Sequence, residues 1–175
     1  MTTRILLNYG HPHHEQSRLN RTLRDAVSSL PNVTVNDLTA HYPDFRIDVE
    51  REQQLLLNHE VIVLQFPLYW YSSPAIIKEW QDAVLTYGFA YGSQGNKLQG
   101  KRLMIATTSG APVEAYQAGA FNQYTLSELL RPFQAMANLA GMHYQPIFSL
   151  GGALNMSEAV LDSAATAYRA RLAGF

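Results

Sequence analysis

Apolar residues occur along this chain in two arrangements, as short unbroken runs and as longer stretches with helical spacing. Residues 5–7, 61–64 and 103–106 are apolar throughout, which predicts strands that are covered on both faces. Residues 33–36 alternate between apolar and polar, as in a half-exposed strand, and residues 147–150, just after Pro146, suggest a last strand. The pattern therefore predicts five strands, of which the first, third and fourth are the most deeply buried.

Helical spacing of apolar residues predicts five helices, at residues 19–30, 48–58, 74–84, 125–140 and 157–172. Strands that alternate with helices indicate a parallel sheet between two helical layers. The alternating second strand and the fifth strand, which follows Pro146, belong at the edges of that sheet. The strand order 2-1-3-4-5 meets these conditions and is the flavodoxin-like α/β arrangement, which we expect to form a single domain over residues 1–175.

Capping residues indicate more closely where the predicted helices begin. The expected caps are Ser17, Asp48, Ser73 before Pro74, Thr125 with Glu128, and Ser157. Pro132 lies inside the fourth helical pattern, so this helix should kink or divide there.

Composition narrows the class of protein. Hydrophobic residues make up 47% of the chain and charged residues 15%, as in a compact folded protein rather than a disordered one. The net charge of −1, without runs of like charge, argues against nucleic acid or an anionic membrane surface as the main partner. The absence of cysteine excludes disulfides, thiolate metal sites and thiol nucleophiles, and fits a reducing compartment. With no run of signal-peptide or transmembrane character, we expect a cytoplasmic protein.

The loop after the first strand, residues 10–20, has features of an anion site. It leads into a helix N-terminus, where free N–H groups and the helix dipole favour negative charge, and Arg18 and Arg21 lie in the first turn. The two arginines could equally be solvated. Glycine patterns of classical dinucleotide and Walker loops are absent.

Three histidines in the same loop, His11, His13 and His14, raise the question of a metal site. They lack the helical spacing that makes ligands converge, and no carboxylate cluster accompanies them. We therefore predict no metal and assign these histidines to contact with a bound anion or to the surface.

The loop after the third strand carries an aromatic cluster. Pro67 is followed by Leu68, Tyr69, Trp70 and Tyr71, at a turn between a strand and a helix. These side chains either pack within the protein or against another subunit, or they form a surface for a flat ligand. Open α/β sheets bind ligands at such turns, which favours the ligand.

The loop after the fourth strand places the hydroxyls and amides of Thr107, Thr108, Ser109 and Gly110 just beyond a buried strand. In the order 2-1-3-4-5, the loops after strands one, three and four are neighbours. An anion site, an aromatic surface and a donor-rich turn together suit a planar, phosphorylated cofactor, and FMN is the simplest candidate.

Five segments are distinctive when taken together: GHPHHEQSRLN at 10–20, HYPDFRID at 41–48, FPLYWYSSPAIIKEW at 66–80, GFAYG at 88–92 and TTSG at 107–110. Through them the chain resembles the flavodoxin-like NAD(P)H quinone reductases, which include mammalian DT-diaphorase. It resembles most closely the ancillary proteins of the bacterial glutathione-gated potassium efflux systems.

The resemblance implies a flavin held through His11, with Ser17, Arg18, Leu19 and Asn20 around the phosphate. It further implies that residues 67–71 lie beside the ring and residues 107–110 at its pyrimidine edge. A homodimer with the site at the subunit boundary is implied too. FMN is expected rather than FAD, because the chain lacks the C-terminal extension that larger relatives use for FAD.

The implied activity is FMN-dependent NAD(P)H:quinone oxidoreduction by ping-pong hydride transfer, with a quinone or another small electrophile as substrate. Tyr116 is the implied catalytic residue, stabilising charge on the reduced flavin together with the amides of residues 107–110. Two departures weaken this implication: Ser109 replaces a family glycine, and Asn122 stands near the position of a family histidine and cannot serve as a similar proton donor.

Two other functions remain open. The chain could be a regulatory subunit of a membrane potassium-efflux transporter, with weak or no turnover and a peripheral position on the cytoplasmic face of the inner membrane. The departures at Ser109 and Asn122 favour that role. A flavodoxin-type electron carrier is disfavoured, because such carriers are strongly acidic and this chain is not.

Overall fold

The strands form one parallel sheet. The computed structural model describes residues 2–175, and its strands are β1 (Ile5–Tyr9), β2 (Val33–Asp37), β3 (Val61–Pro67), β4 (Arg102–Thr108), β5 (His143–Tyr144) and β6 (Phe148–Leu150). Strands β2, β1, β3 and β4 lie side by side in that order, and both β5 and β6 pair with β4. The predicted order 2-1-3-4-5 is confirmed, with the fifth position shared by two short strands.

Helices cover both faces of this sheet. The α-helices are α1 (Leu19–Ser28), α2 (Leu38–His41), α3 (Val49–Leu57), α4 (Ala75–Val84), α5 (Leu126–Leu129), α6 (Arg131–Leu139) and α7 (Glu158–Ala173). Single 3₁₀ turns lie at His14–Gln16 and Val113–Ala115. No helix among residues 2–175 combines the length and the apolar character needed to cross a membrane.

Alternate residues of the central strands face two separate hydrophobic cores. On one face, α4 and α6 pack on β3 and β4, and the largest side chains there are Phe66, Trp80 and Phe133. On the other face, α1 and α7 pack on β1, β3 and β4 through Leu23, Val27, Tyr168 and Leu172. The residues of β1 and β3 are all buried, as the unbroken apolar runs predict.

The fifth strand differs from the prediction of one strand at 147–150. His143 and Tyr144 already pair with Arg102 and Leu103, and pairing resumes only at Phe148. The interruption falls at Pro146, which has no N–H to donate to the ladder.

Helix ends agree with the sequence where a side-chain acceptor is present. The caps of α3, α5 and α7 by Asp48, Thr125 with Glu128, and Ser157 are confirmed. The division at Pro132 is confirmed too, since α5 and α6 are separate helices. Two caps are wrong: Arg18, not Ser17, precedes α1, and Pro74, not Ser73, precedes α4, in both cases without a side-chain hydrogen bond.

Candidate cofactor-binding site

The three loops come together at the carboxyl ends of β1, β3 and β4, where they enclose a cavity of about 370 Å³. The cavity is lined by His11, His13, Gln16, Ser17, Arg18, Leu19, Asn20, Pro67, Leu68, Tyr69, Thr108, Ser109, Gly110 and Ala153. Four residues of the predicted site, Trp70, Tyr71, Thr107 and Tyr116, are not part of this wall. The sheet order thus brings the expected loops together, but only some of their side chains face the cavity.

Gly10 sets the path of the first loop. Its N–H donates to the Gln65 carbonyl at 3.0 Å, which continues the pairing of β1 with β3. A Cβ at this position would lie 2.8 Å from Ile77 Cδ1 of α4. A residue without a side chain therefore lets the loop pass close over α4 and turn His11 into the cavity wall.

His11 is held as a neutral donor. Burial lowers the pKa of His11 to about 4, with further contributions from His14 and His13. Its Nδ1 accepts from the His13 N–H at 3.1 Å, so the ring proton lies on Nε2. The backbone N–H of His11 donates to Thr39 Oγ1 at 3.2 Å, which fixes the start of the loop.

The N-terminus of α1 offers free backbone donors at one end of the cavity. The N–H groups of Leu19, Asn20 and Arg21 have no acceptor within residues 2–175, and Leu19 and Asn20 line the wall. Free N–H groups in the first turn and the positive end of the helix dipole suit a phosphate.

Arg18 has partners that the sequence did not reveal. Its guanidinium donates to the Met156 carbonyl at 2.7 Å and to Glu158 Oε1 at 2.6 Å. The side chain therefore ties the start of α1 to the segment before α7, and its charge is already paired.

The aromatic cluster forms a tight hairpin rather than a continuous surface. Tyr69 and Ser72 exchange two backbone hydrogen bonds, both of 2.9 Å, around Trp70 and Tyr71. These two residues have φ values of 47° and 64°, as in a type I′ turn. Leu68 and Tyr69 line the cavity, whereas Trp70 is 94% exposed at the tip.

Neither of the two turn-forming aromatics lines the cavity, but one of them has a defined partner. The Tyr71 hydroxyl donates to Asn122 Oδ1 at 3.2 Å, which links the hairpin to the loop that follows β4. The predicted roles of Trp70 and Tyr71 in cofactor binding remain predictions.

The third loop contributes Thr108, Ser109 and Gly110 to the wall. The Ser109 hydroxyl donates to the Ala111 carbonyl at 2.8 Å, so this side chain is bonded within its own loop. A Cβ at Gly110 would meet no atom within 4 Å, which leaves space beside its backbone. Thr107 is buried and absent from the cavity wall, and Tyr116 lies beyond the loop, directly after the 3₁₀ turn Val113–Ala115.

A fourth segment, which was not among the loops predicted from the sequence, also reaches the cavity. Ala153 follows β6 and lines the wall. The signal was available, because Gly151 and Gly152 follow a strand that ends at the same edge of the sheet. A Cβ at Gly151 would lie 2.7 Å from the Ala111 carbonyl, so a residue without a side chain allows this close approach.

A larger cavity of about 590 Å³ lies between α4 and α6. It takes no residue from the loops at 10–20 and 107–110, so the donors of the predicted site do not reach it. Within residues 2–175, no group of three or more His, Asp or Glu side chains could hold a metal ion.

Comparison with known proteins identifies the family. Residues 3–172 match the flavodoxin-like fold family. A crystal structure of an NADPH-quinone reductase from P. pentosaceus is 38% identical, covers 96% of each chain and superposes with a TM-score of 0.88. The chain belongs to the flavodoxin-like NAD(P)H oxidoreductases.

Two further members of the flavodoxin-like NAD(P)H oxidoreductases are informative. The glutathione-regulated potassium-efflux system ancillary protein KefG of Cronobacter sakazakii is 48% identical over 172 residues, or 98% of this chain and 94% of KefG. The general stress protein 14 of Treponema denticola, solved in complex with FMN, is 37% identical, covers 98% of this chain and 97% of that chain, and has a TM-score of 0.89.

Proposed function

We propose that this chain is an FMN-dependent NAD(P)H:quinone oxidoreductase. The observation that carries the proposal is the convergence of the loops at 10–20, 67–69 and 108–110 on one cavity at the carboxyl edge of the sheet. The FMN complex of the 37% identical relative and the quinone reductase of similar fold support it.

The donor set of the cavity fits FMN. Free N–H groups at the start of α1 suit the phosphate, while the volume of about 370 Å³ lies within the usual range for small-molecule sites. Leu68 and Tyr69 supply an apolar wall, and the open space beside Gly110 allows a ring edge to approach the backbone. Together these features suit a molecule with a phosphate at one end and a planar ring system at the other.

The residues of this chain bind and orient rather than react. When bound, FMN would supply the chemistry, accepting a hydride from NADH or NADPH and delivering two electrons to a quinone. The Nε2–H of His11 could donate a hydrogen bond to the cofactor from an uncharged ring, because burial lowers the pKa of His11 to about 4. The Ser109 N–H already donates to the Leu150 carbonyl at 3.0 Å, so the Gly110 N–H and the hydroxyl of Tyr116 are the groups that we assign to stabilising negative charge.

Purified protein reconstituted with FMN should show flavin absorbance and should oxidise NADH or NADPH when a quinone is present. Gly110→Leu should prevent flavin binding, since a large side chain would enter space that is open beside Gly110. Ala118→Leu, at an exposed position outside the cavity wall, is the matched control and should bind FMN normally. Lack of stoichiometric flavin after reconstitution would refute the proposal.

The site also favours a homodimer, which we include in the proposal. Trp70 is 94% exposed and Phe121 is 87% exposed, and both lie beside the contact between Tyr71 and Asn122. Exposed large apolar side chains that lie close together are typical of interaction surfaces. Sedimentation equilibrium should give twice the chain mass, and a monomer at micromolar concentration would contradict this part of the proposal.

A second candidate function is supported by the similarity to KefG, which extends over 98% of this chain. In this function, the protein would associate with a potassium-efflux transporter at the cytoplasmic face of the membrane. Potassium efflux should then be measured with and without the protein, and with the Gly110→Leu variant. Efflux that depends on the protein but is unchanged in that variant would separate regulation from flavin binding.

A further inference from the structure

A continuous chain of buried polar side chains leads from α7 to the cavity. Tyr168 of α7 and Gln65 of β3 are both fully buried, Asn20 of α1 is 1% exposed and Thr108 of β4 is 6% exposed. The Tyr168 hydroxyl lies 3.1 Å from Gln65 Oε1, and Gln65 Nε2 lies 2.8 Å from the Asn20 carbonyl oxygen. Asn20 Nδ2 in turn lies 2.5 Å from Thr108 Oγ1.

The backbone carbonyl of Asn20 fixes the direction of the first two hydrogen bonds. A carbonyl oxygen can only accept, so the Gln65 atom beside it must be the amide nitrogen. The amide oxygen of Gln65 therefore faces Tyr168, whose hydroxyl must donate to it. Burial raises the pKa of Tyr168, which keeps this hydroxyl protonated.

The same direction continues through the side chain of Asn20. Its Oδ1 lies 3.4 Å from Gln65 Nε2, so a rotated Asn20 amide would bring two NH₂ groups against each other. The Asn20 Nδ2 group therefore donates to Thr108 Oγ1. That oxygen is an acceptor in this bond, and its own hydrogen donates to no group within residues 2–175.

We propose that Gln65 and Asn20 are positioning residues that fix Thr108 as a hydrogen-bond donor facing the cavity. Thr108 lines the wall next to Ser109 and Gly110, so its hydroxyl would meet an acceptor atom, a ring nitrogen or a carbonyl oxygen, at the edge of a planar heterocycle. This inference rests on the proposed function, in which the heterocycle is the flavin. A fixed donor binds more strongly to an edge that gains negative charge, so it favours the reduced cofactor.

The binding test compares three changes along the chain of hydrogen bonds. Thr108→Ser keeps the donor and should leave the FMN dissociation constant within about twofold, whereas Thr108→Val should raise it by about tenfold. Gln65→Met should raise it by about three- to tenfold, because the Asn20 amide can then rotate and no longer fixes the Thr108 hydroxyl. In both weakened variants, the midpoint potential of the bound flavin should fall.

The Tyr168→Phe variant distinguishes the positioning of the Thr108 hydroxyl from a general loss of fold stability. It leaves Gln65 Oε1 without a donor and should destabilise the fold, but Gln65 Nε2 still faces the Asn20 carbonyl and the direction of the chain is kept. Its dissociation constant and midpoint potential should therefore match those of the wild type. Gln53→Met, which removes an amide that donates to the Val84 carbonyl away from the cavity, is the matched control for Gln65→Met. Equal losses of FMN affinity in Tyr168→Phe and Gln65→Met would overturn the proposal.

A readout without cofactor distinguishes this inference from the proposed function. In apo protein, the side-chain NH₂ protons of Asn20 should exchange slowly with solvent in NMR spectra and should exchange faster in Gln65→Met. A wild type that binds no FMN but shows these slow protons would refute the proposed function and keep the chain of hydrogen bonds. Asn20 protons that exchange at solvent rates in the wild type would overturn the inference whatever the cofactor result.

Discussion

At the scale of single residues, the turn at Trp70 and Tyr71 places two aromatic residues at positions that other residue types usually occupy. Type I′ turns favour asparagine and glycine because both central residues have positive φ. Here they are two aromatic residues with φ values of 47° and 64°, a conformation that costs on the order of 1 kcal/mol or more for each. Trp70 is 94% exposed, so burial within this chain does not offset that cost. Strain of this kind points to a role for the hairpin tip in binding.

Two substitutions of Trp70 separate strain from contact. Trp70→Asn should raise the free energy of unfolding by about 0.5 to 1 kcal/mol, because asparagine tolerates positive φ. Trp70→Val should lower it by about 1 to 2 kcal/mol, because a β-branched residue does not. Urea unfolding of the apo protein measures both changes.

Both variants lose the indole, so any effect on FMN affinity should be the same in the two. We expect weaker flavin binding in both, as the sequence predicts for Trp70. Equal affinity for FMN in the wild type and both variants would restrict the apolar wall of the site to Leu68 and Tyr69.

His11 gives the protein a pH dependence whose direction can be stated. The unfolded ring gains a proton near pH 6.5, whereas the folded ring does so only near pH 4. Between these values the unfolded state binds more protons, so the free energy of unfolding falls as the pH falls. The stability contributed by neutral His11 is present above about pH 6.5 and is lost toward pH 4.

His11→Asn isolates this contribution, since its Oδ1 can still accept from the His13 N–H and the side chain does not titrate. Between pH 7 and pH 4.5, the wild type should lose about 1 to 2 kcal/mol more than the variant, allowing for partial access of water to the ring. Denaturant midpoints at the two pH values measure the difference. Identical pH dependence in the two proteins would show that the His11 ring gains its proton at the same pH in the folded and unfolded states.

At the scale of secondary-structure elements, Glu52 joins four parts of the chain. Its carboxylate, which is fully buried, accepts from Asn36 Nδ2 of β2 at 2.8 Å and from Trp80 Nε1 of α4 at 2.8 Å. It also accepts from the Tyr42 hydroxyl at 2.7 Å and from Arg51 of α3, its own helix. Burial and the bond to Glu52 raise the pKa of Tyr42 to about 12. The carboxylate thus holds α3 and the segment after α2 against the sheet.

Glu52→Gln should destabilise the fold by about 2 to 4 kcal/mol, because the new NH₂ group would face donors and leave one of them unpaired. Glu50→Gln, at an exposed position in the same helix, should change stability by less than about 0.5 kcal/mol. Chemical denaturation of both variants tests the assignment. If both variants lose less than about 0.5 kcal/mol of stability, the hydrogen bonds of the Glu52 carboxylate do not contribute measurably to folding.

These elements show which features of the fold can be predicted from sequence. The unbroken apolar runs of β1, β3 and β4 require burial on both faces, which places these strands inside the sheet, while the alternating β2 and Pro146 favour the edges for the other strands. Glu52 could not be predicted as buried, because its partners Asn36, Tyr42 and Trp80 come from other segments and its neighbours Glu50 and Arg51 are charged as well. In the site, the meeting of the loops follows from strand order. Which side chains face the cavity depends on turn geometry that composition does not reveal, as at Trp70.

At the scale of the whole molecule, the site depends on the sheet as a scaffold. Residues 10–20, 67–69, 108–110 and 153 are far apart in the chain, and they meet because β1, β3, β4 and β6 end at one edge. A cofactor bound there contacts all four segments at once. Its binding free energy therefore stabilises the complete fold, by about 2.7 kcal/mol when free FMN is at 100 times its dissociation constant.

Hydrogen exchange followed by mass spectrometry should show where FMN binds. Loop amides exchange through local openings, so a bound ligand slows them only in the segments that it contacts. We expect slower exchange at residues 10–20, 67–72, 107–110 and 151–153 when FMN is added, and little change in α6, which lines the larger cavity. Gly110→Leu is the control and should show no slowing with FMN. Slower exchange confined to α4 and α6 would instead assign the flavin to the larger cavity. Only a ligand bound between those helices would slow exchange there and leave the four segments at the sheet edge unchanged.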